Sequence, residues 1–183
     1  MKRKPMKRKL RMSKKLKIGI LSDSHTKTVL HQEAIEHLCA LGIEYLLHAG
    51  DIMLEEHLQM LVDTGLPYAC VYGNNDTSLI SLHGKYNIFQ EPHYFKIEDL
   101  KIKMMHMPYY MSSDADMVVS GHTHMFEAEL SSKTLFINPG EVCAREKPLS
   151  ECAIVTVENK LFEVEHYFRE LNQTTWTKRE VML

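Results

Sequence analysis

Leu16-Lys17-Ile18-Gly19-Ile20-Leu21 runs directly into Ser22-Asp23-Ser24-His25. A short apolar run with a polar, loop-forming exit reads as a buried strand that stops at a cluster of ionisable side chains. The pattern recurs downstream. Between Thr28 and Leu41 the apolar residues Val29, Leu30, Ala34, Ile35, Leu38 and Leu41 fall at helical spacing, and Gly42 supplies a stop. Residues 43–49 read as a second strand leading into Gly50-Asp51, and residues 55–64 as a second helix ending before Gly65 and Pro67. Residues 68–72 read as a third strand running into Gly73-Asn74-Asn75-Asp76. Alternating strands and helices predict a parallel sheet with right-handed crossovers. Ligands of such sheets gather at the carboxyl ends of the strands, which is where each polar motif falls.

Beyond Asp76 the pattern changes. Residues 94–97, 101–105, 117–120, 134–137, 153–158 and 161–167 read as short strands with little helix between them. Glu158-Asn159-Lys160 has the spacing of a hairpin, so antiparallel pairing and a second sheet are expected. The fold class is therefore α/β, with two packed sheets and helices outside. The polar stretch 172–183 reads as a frayed tail after a domain spanning residues 16–171.

Composition agrees with one ordinary globular domain: 183 residues, 44% apolar and 25% charged. No apolar run approaches the roughly 20 residues of a membrane span, so no membrane role is expected. The four cysteines, Cys39, Cys70, Cys143 and Cys152, form no C-x-x-C pair. That speaks against a zinc knuckle or disulfide framework and for a reducing, cytoplasmic setting. Residues 1–15 carry nine Lys/Arg and no acid; with −2 overall, the remainder carries −11. This basic start lacks the apolar segment of a secretory signal. It reads as a solvated extension or an early start codon, with an electrostatic arm for nucleic acid as the alternative.

Candidate chemistry sits at the strand exits. Asp23 and His25 are two apart, so extended backbone would turn both toward one cation. Asp51 has two carboxylate oxygens and could bridge two cations, while Gly50 gives the backbone room to turn. Asn74 offers an amide oxygen, His106 closes the 101–105 strand, and Gly121-His122-Thr123-His124 repeats the two-apart arrangement. Mixed His, Asp and Asn donors suit divalent manganese, with iron, nickel or zinc as alternatives. Two such ions 3.5–4 Å apart would clamp an in-line displacement at phosphorus.

Taken together, the segments 18–25, 48–52, 71–76, 116–124 and 137–140 resemble the calcineurin-like metallophosphoesterases, in particular their small bacterial and archaeal phosphodiesterase branch. The resemblance implies a four-layer αββα sandwich of two mixed sheets flanked by helices. It implies one metal bound by Asp23, His25, Asp51 and His124, and another by Asp51, Asn74, His106 and His122. A bridging hydroxide would be the nucleophile, and Asn74 would also touch the phosphate. The expected substrate is a small phosphodiester or phosphomonoester, the diester first. A non-catalytic scaffold, as in the retromer subunit sharing this fold, and a nuclease using the basic arm are the alternatives.

Three departures from the family pattern stand out. Asn75 occupies the position where many members place a histidine that protonates the leaving group; an amide cannot transfer a proton. His106 is followed by Met107-Pro108-Tyr109 instead of the family's Gly-His pair. Only 15 residues separate His106 from His122, too few for the usual crossover helix, so one peripheral helix is expected to be missing between residues 106 and 117. Tyr109, Tyr110 and Met111 would then be either a satisfied local cluster or an exposed dimer contact or substrate platform. His48 is expected behind the site, Arg145 either on a phosphate or in a surface ion pair, and Asn138-Pro139-Gly140 in a supporting turn.

Overall fold

The computed structural model describes residues 15–183, so the basic extension read from the sequence lies outside the described residues except for Lys15. In chain order the first half comprises β1 (Leu16–Leu21), α1 (Thr28–Ala40), β2 (Tyr45–His48), α2 (Glu55–Asp63), β3 (Tyr68–Val71), a 3-10 turn (Thr77–Leu82) and β4 (Ile88–Phe89). The second half is all strand: β5 (His93–Ile97), β6 (Leu100–Met104), β7 (Met117–Val119), β8 (Phe126–Ser131), β9 (Thr134–Pro139), β10 (Leu149–Glu158), β11 (Leu161–Glu170) and β12 (Thr177–Val181). They form a seven-stranded sheet ordered β12-β11-β10-β1-β2-β3-β4 and a five-stranded sheet ordered β5-β6-β7-β9-β8. Both are mixed: β1 to β4 run parallel, β10 to β12 pair antiparallel, and β7 lies parallel between β6 and β9.

Alternation along β1 explains the layering. Ile18 and Ile20 join Leu47 and Val71 against Ile102, Met104, Val119 and Ile137 of the other sheet, all buried. The opposite face is covered by α1 and α2, whose Ala34, Ile35, Leu38, Leu58 and Leu61 pack on Leu46, Cys70 and Ile154. At about 25 cal/mol per Å² these two apolar layers dominate the favourable side of folding. The parallel β1-β2-β3 unit and its two helices stand where the apolar periodicity places them. The β10–β11 hairpin turns through Asn159 and Lys160, both at positive φ (53° and 63°), as a two-residue turn matching strand twist requires.

The outer face of the five-stranded sheet carries no helix among the described residues. The parallel strands β6 and β7 are joined by residues 105–116 as irregular backbone, in keeping with the short connection. A charge does the anchoring there. Lys103 is fully buried, with Nζ 2.6 Å from Asp114 Oδ1 and 2.8 Å from Ser112 Oγ, and lies over the Tyr94 ring. Tyr109 and Tyr110 project at 71% and 57% exposure and Met111 at 39%, so they form surface and not a satisfied cluster. No helix of the described residues is long and apolar enough to cross a membrane.

Three strands and the 3-10 turn exceed the sequence reading: β4, β8 and β12. The expectation of frayed backbone from residue 172 fails over Thr177–Val181, which pairs with β11 in the register Phe168↔Thr177 to Val164↔Val181. Its polar composition is that of an edge strand, whose charges discourage pairing with other chains and resemble a solvated tail. Trp176 fixes the segment: its ring stacks on His37 of α1 at 4.7 Å, with the Arg169 guanidinium 5.5 Å away. Trp176→Ala is expected to lower unfolding free energy in urea by about 1–3 kcal/mol through lost stacking and burial. An unchanged midpoint would show that the C-terminal strand adds nothing to the fold.

Candidate metal centre

All seven residues singled out in the sequence meet at one end of the two sheets. Asp23 and His25 follow β1, Asp51 follows β2 and Asn74 follows β3; His106 follows β6, and His122 and His124 follow β7. Five of the seven, Asp23, His25, Asp51, His122 and His124, hold positive φ between 46° and 68°. That conformation costs a non-glycine residue about 1–2 kcal/mol and persists only where the surroundings enforce it. Here they do. Asp23 N–H donates to Gly50 O (3.0 Å), His25 N–H to Asp51 O (2.9 Å), and Cys143 N–H to Asp23 O (3.0 Å), lacing three strand exits together.

Two glycines make the approach possible. Gly50, at φ 95°, lies so close to His106 that a Cβ would fall 2.6 Å from Nδ1. A Cβ on Gly73 would sit 2.2 Å from Asp51 Oδ1, so any side chain there displaces the carboxylate.

Hydrogen-bond chemistry decides which ring nitrogens face inward. His106 Nδ1 lies 2.8 Å from Ala49 O, an acceptor only, so Nδ1 carries the proton. Its Nε2 then turns a lone pair toward Asn74 Oδ1 at 3.1 Å and Asp51 Oδ2 at 3.5 Å. His124 Nδ1 is 2.6 Å from Glu141 Oε2, which leaves its Nε2 facing Asp23 Oδ1 at 3.3 Å and His25 Nε2 at 3.5 Å. His25 Nε2 is 3.7 Å from Asp51 Oδ2, and His122 Nδ1 is 3.1 Å from Asn74 Oδ1. Asp51 Oδ2 thus stands between His25 and His106. Asp23 Oδ2 accepts from Ser22 Oγ–H and His122 N–H, whereas buried Oδ1 has no hydrogen-bond partner. Lone pairs converging on lone pairs, with an orphaned carboxylate oxygen among them, describe a cage that fits cations.

The proton affinities follow the same logic. Burial raises the Asp23 carboxyl, with the charges of His106 and His124 only partly offsetting it. Burial would also raise Asp51, yet His106 and the two donors of Asn75 outweigh it and hold Asp51 well below the usual carboxylate range. For His106 burial is outweighed by Asp51 and Asp23, and its pKa is raised. The Glu141 hydrogen bond raises His124. His25 is the exception among these imidazoles, lowered by burial. Protons and cations compete for the same donor atoms.

Several supports escaped the sequence reading. Asn75 donates from its backbone N–H to Asp51 Oδ1 (2.9 Å) and from Nδ2 to Asp51 Oδ2 (2.7 Å), so its amide lies on the carboxylate. Glu141 is fully buried and accepts from the backbone N–H groups of Arg145, Glu146 and Lys147 as well as from His124. Its only sequence signal is position, directly after the Asn138-Pro139-Gly140 turn. That turn is a support, as expected: Asn138 Nδ2 donates to Gly121 O at 2.9 Å and Thr123 Oγ1 at 3.0 Å. Cys143 lies beside His25 and His124, but burial and Glu141 push its thiol up, so it stays protonated and donates to Glu141 Oε2. His48, as expected, sits behind the site: its Nε2 is 2.6 Å from Ser24 Oγ, which also meets His31 Nδ1 at 2.7 Å. The open side is a pocket of about 310 Å³ between Asn74, Asn75, His122 and His124, with Arg145 on its rim, next to Glu146 at 3.5 Å.

This fold and this residue set define a family. The calcineurin-like phosphoesterase superfamily domain matches residues 16–160, and the chain belongs to that superfamily. It is similar to the phosphodiesterase MJ0936 of Methanocaldococcus jannaschii, 28% identical over 158 residues covering 79% of this chain and 95% of the relative. Among solved structures, an archaeal phosphodiesterase superposes with a TM-score of 0.70 at 24% identity, covering 91% of this chain and 100% of the other. Vacuolar protein sorting 29 from Cryptosporidium parvum superposes with a TM-score of 0.66 at 18% identity, covering 91% and 97%; at that identity the likeness is one of fold.

Glu141 provides a test of the cage. Burial alone would raise its carboxyl, but His124 and the three backbone amides hold it at about 2, against an ordinary 4.5. A depressed folded pKa contributes stability above pH 4.5 that is lost as pH falls toward about 2. In metal-free Glu141→Gln that acid-dependent loss should shrink relative to wild type, measured as urea midpoints from pH 5 to pH 2. Parallel curves for the two proteins would show that Glu141 gains nothing from its partners.

Proposed function

We propose that this protein is a metal-dependent phosphodiesterase with a dinuclear centre. One cation would be held by Asp23, His25, Asp51 and His124, and the other by Asp51, Asn74, His106 and His122. The observation that carries the reading is the set of inward imidazole lone pairs on His106 and His124, facing the oxygens of Asn74, Asp51 and Asp23. Nitrogen and oxygen donors of this mix fit manganese, with iron, nickel or zinc as alternatives. When bound, two divalent ions supply Lewis acidity at the phosphate and lower the pKa of water to near neutrality.

The chain's own residues orient and balance charge. Asp51 is shared, and Asn75 keeps both of its oxygens fixed through two hydrogen bonds. His106 and His124 are locked in one tautomer by Ala49 and Glu141, an arrangement that positions ligands and strengthens them. Asn74 is exposed at the pocket floor, where its amide N–H groups can donate to a phosphate oxygen. The Asn75 amide cannot pass a proton to a leaving group, so esters with good leaving groups are favoured. A diester carries one negative charge fewer than a monoester, which suits a site whose rim cation among the described residues, Arg145, already adjoins Glu146. The scaffold alternative loses weight because all seven donor positions keep competent residues.

The decisive experiment is metal analysis combined with hydrolysis of bis(p-nitrophenyl) phosphate and p-nitrophenyl phosphate. Wild type is expected to take up about two equivalents of manganese and to prefer the diester, while Asp51→Asn binds fewer ions and loses turnover. Protein that binds no divalent ion under any condition would sink the reading. Asn75→His is expected to raise kcat on alkyl diesters by about tenfold, the low side of general-acid contributions because the Asp51 contact is lost. No gain with both metals retained would remove Asn75 as the cause of slow turnover on poor leaving groups.

A further inference from the structure

A second recess adjoins the metal centre. Tyr72, Ile80, His83, Gln90 and Glu91 enclose a cleft of about 760 Å³ that meets the smaller pocket at Asn74. Its construction differs from that of the cage. Ile80, on the 3-10 turn, leaves 60% of its surface in solvent on the wall of this cleft. The Tyr72 and His83 rings stand 6.4 Å apart, inclined at 32°, with the Tyr72 hydroxyl 3.5 Å from His83 Nδ1. Glu91 is held rigidly on the far wall, since its Oε2 accepts from His106 N–H and Met107 N–H. The backbone that carries His106 therefore also fixes this wall.

We propose that this cleft is the subsite for one ester group of the substrate, and that it takes a flat heteroaromatic group of nucleoside size. The proposal rests on the phosphodiesterase reading above and names its substrate class. Three features point to such an occupant. The cleft opens at Asn74, the residue placed on the phosphate, so an ester arm leaving phosphorus enters it directly. Its walls are mainly apolar and include two rings and an exposed aliphatic side chain, surfaces on which a planar group can stack with more contact than a methyl or a sugar arm offers. Gln90 and the second oxygen of Glu91 supply amide and carboxylate groups able to meet the donors and acceptors on a heterocycle's edge. The volume is within the range of small-molecule sites and large enough for a base with its sugar.

The test uses the manganese-loaded full chain and two chromogenic diesters, thymidine 5′-p-nitrophenyl phosphate and methyl p-nitrophenyl phosphate. They share a leaving group and differ only in the other ester arm. Wild type should favour the thymidine ester in kcat/KM by about tenfold or more, the equivalent of one stacked base. Ile80→Ala and His83→Ala should bring that ratio toward unity, mostly through KM for the thymidine ester. Leu161→Ala, in the distant β10–β11 hairpin, should leave the ratio where it is. Hydrolysis of both diesters at a ratio below about two, or a high ratio unmoved by Ile80→Ala and His83→Ala, overturns the subsite and leaves the phosphodiesterase reading standing. Hydrolysis of neither overturns both.

Discussion

Asp51 Oδ2 is the point on which the molecule turns. It lies between the Nε2 atoms of His25 and His106, at 3.7 and 3.5 Å, and thereby joins the exit of β1 to the exit of β6 on the opposite sheet. A carboxylate in that position is costly to bury, and the chain surrounds it with donors and glycines: Asn75 supplies two hydrogen bonds, and Gly73 leaves it space. Burial at the seam of two sheets also keeps the dielectric low, so any charge placed there acts strongly on its neighbours. The strained backbone at five of the seven donor positions belongs to the same design, because the donors are aimed inward by loops that would relax differently without each other.

Much of this was legible in the residues. The β1-α1-β2-α2-β3 unit is visible as apolar periodicity changing from strand to helix, and the polar exits Asp23, His25, Asp51 and Asn74 follow from where those strands stop. The missing crossover helix follows from counting residues between His106 and His122. What was not legible depends on contacts between distant segments. Glu141 is one carboxylate among many in the sequence; only the fold brings His124 and three consecutive amides to it. The role of Asn75 is similar. Its type says that it cannot move a proton, but not that its amide lies on Asp51. β12 was missed because an exposed edge strand and a solvated tail have the same polar composition, and the evidence that separates them, Trp176 on His37, comes from another element.

The supporting shell fixes two of the four imidazoles from behind with an acceptor: a main-chain carbonyl for His106 and a buried carboxylate for His124. Behind Ser24 the buried His31 and His48 continue the pattern, and burial holds both pKa values far below the ordinary range, so that they remain neutral spacers. His31 and His48 thus add direction without charge, whereas Glu141 brings a carboxylate as well.

The Lys103 clamp separates the two faces of β6. Toward the interior, Ile102 and Met104 pack in the common core and the strand delivers His106 to the site. Toward the outside, a single ammonium group tethers residues 112–114 across the sheet. Glu91 pins the backbone of His106 and Met107 by a separate pair of hydrogen bonds, on the inner side of the strand end. The outer arc and the inner ring of donors thus hang on different anchors: an ammonium group facing outward, and a carboxylate beneath the strand end.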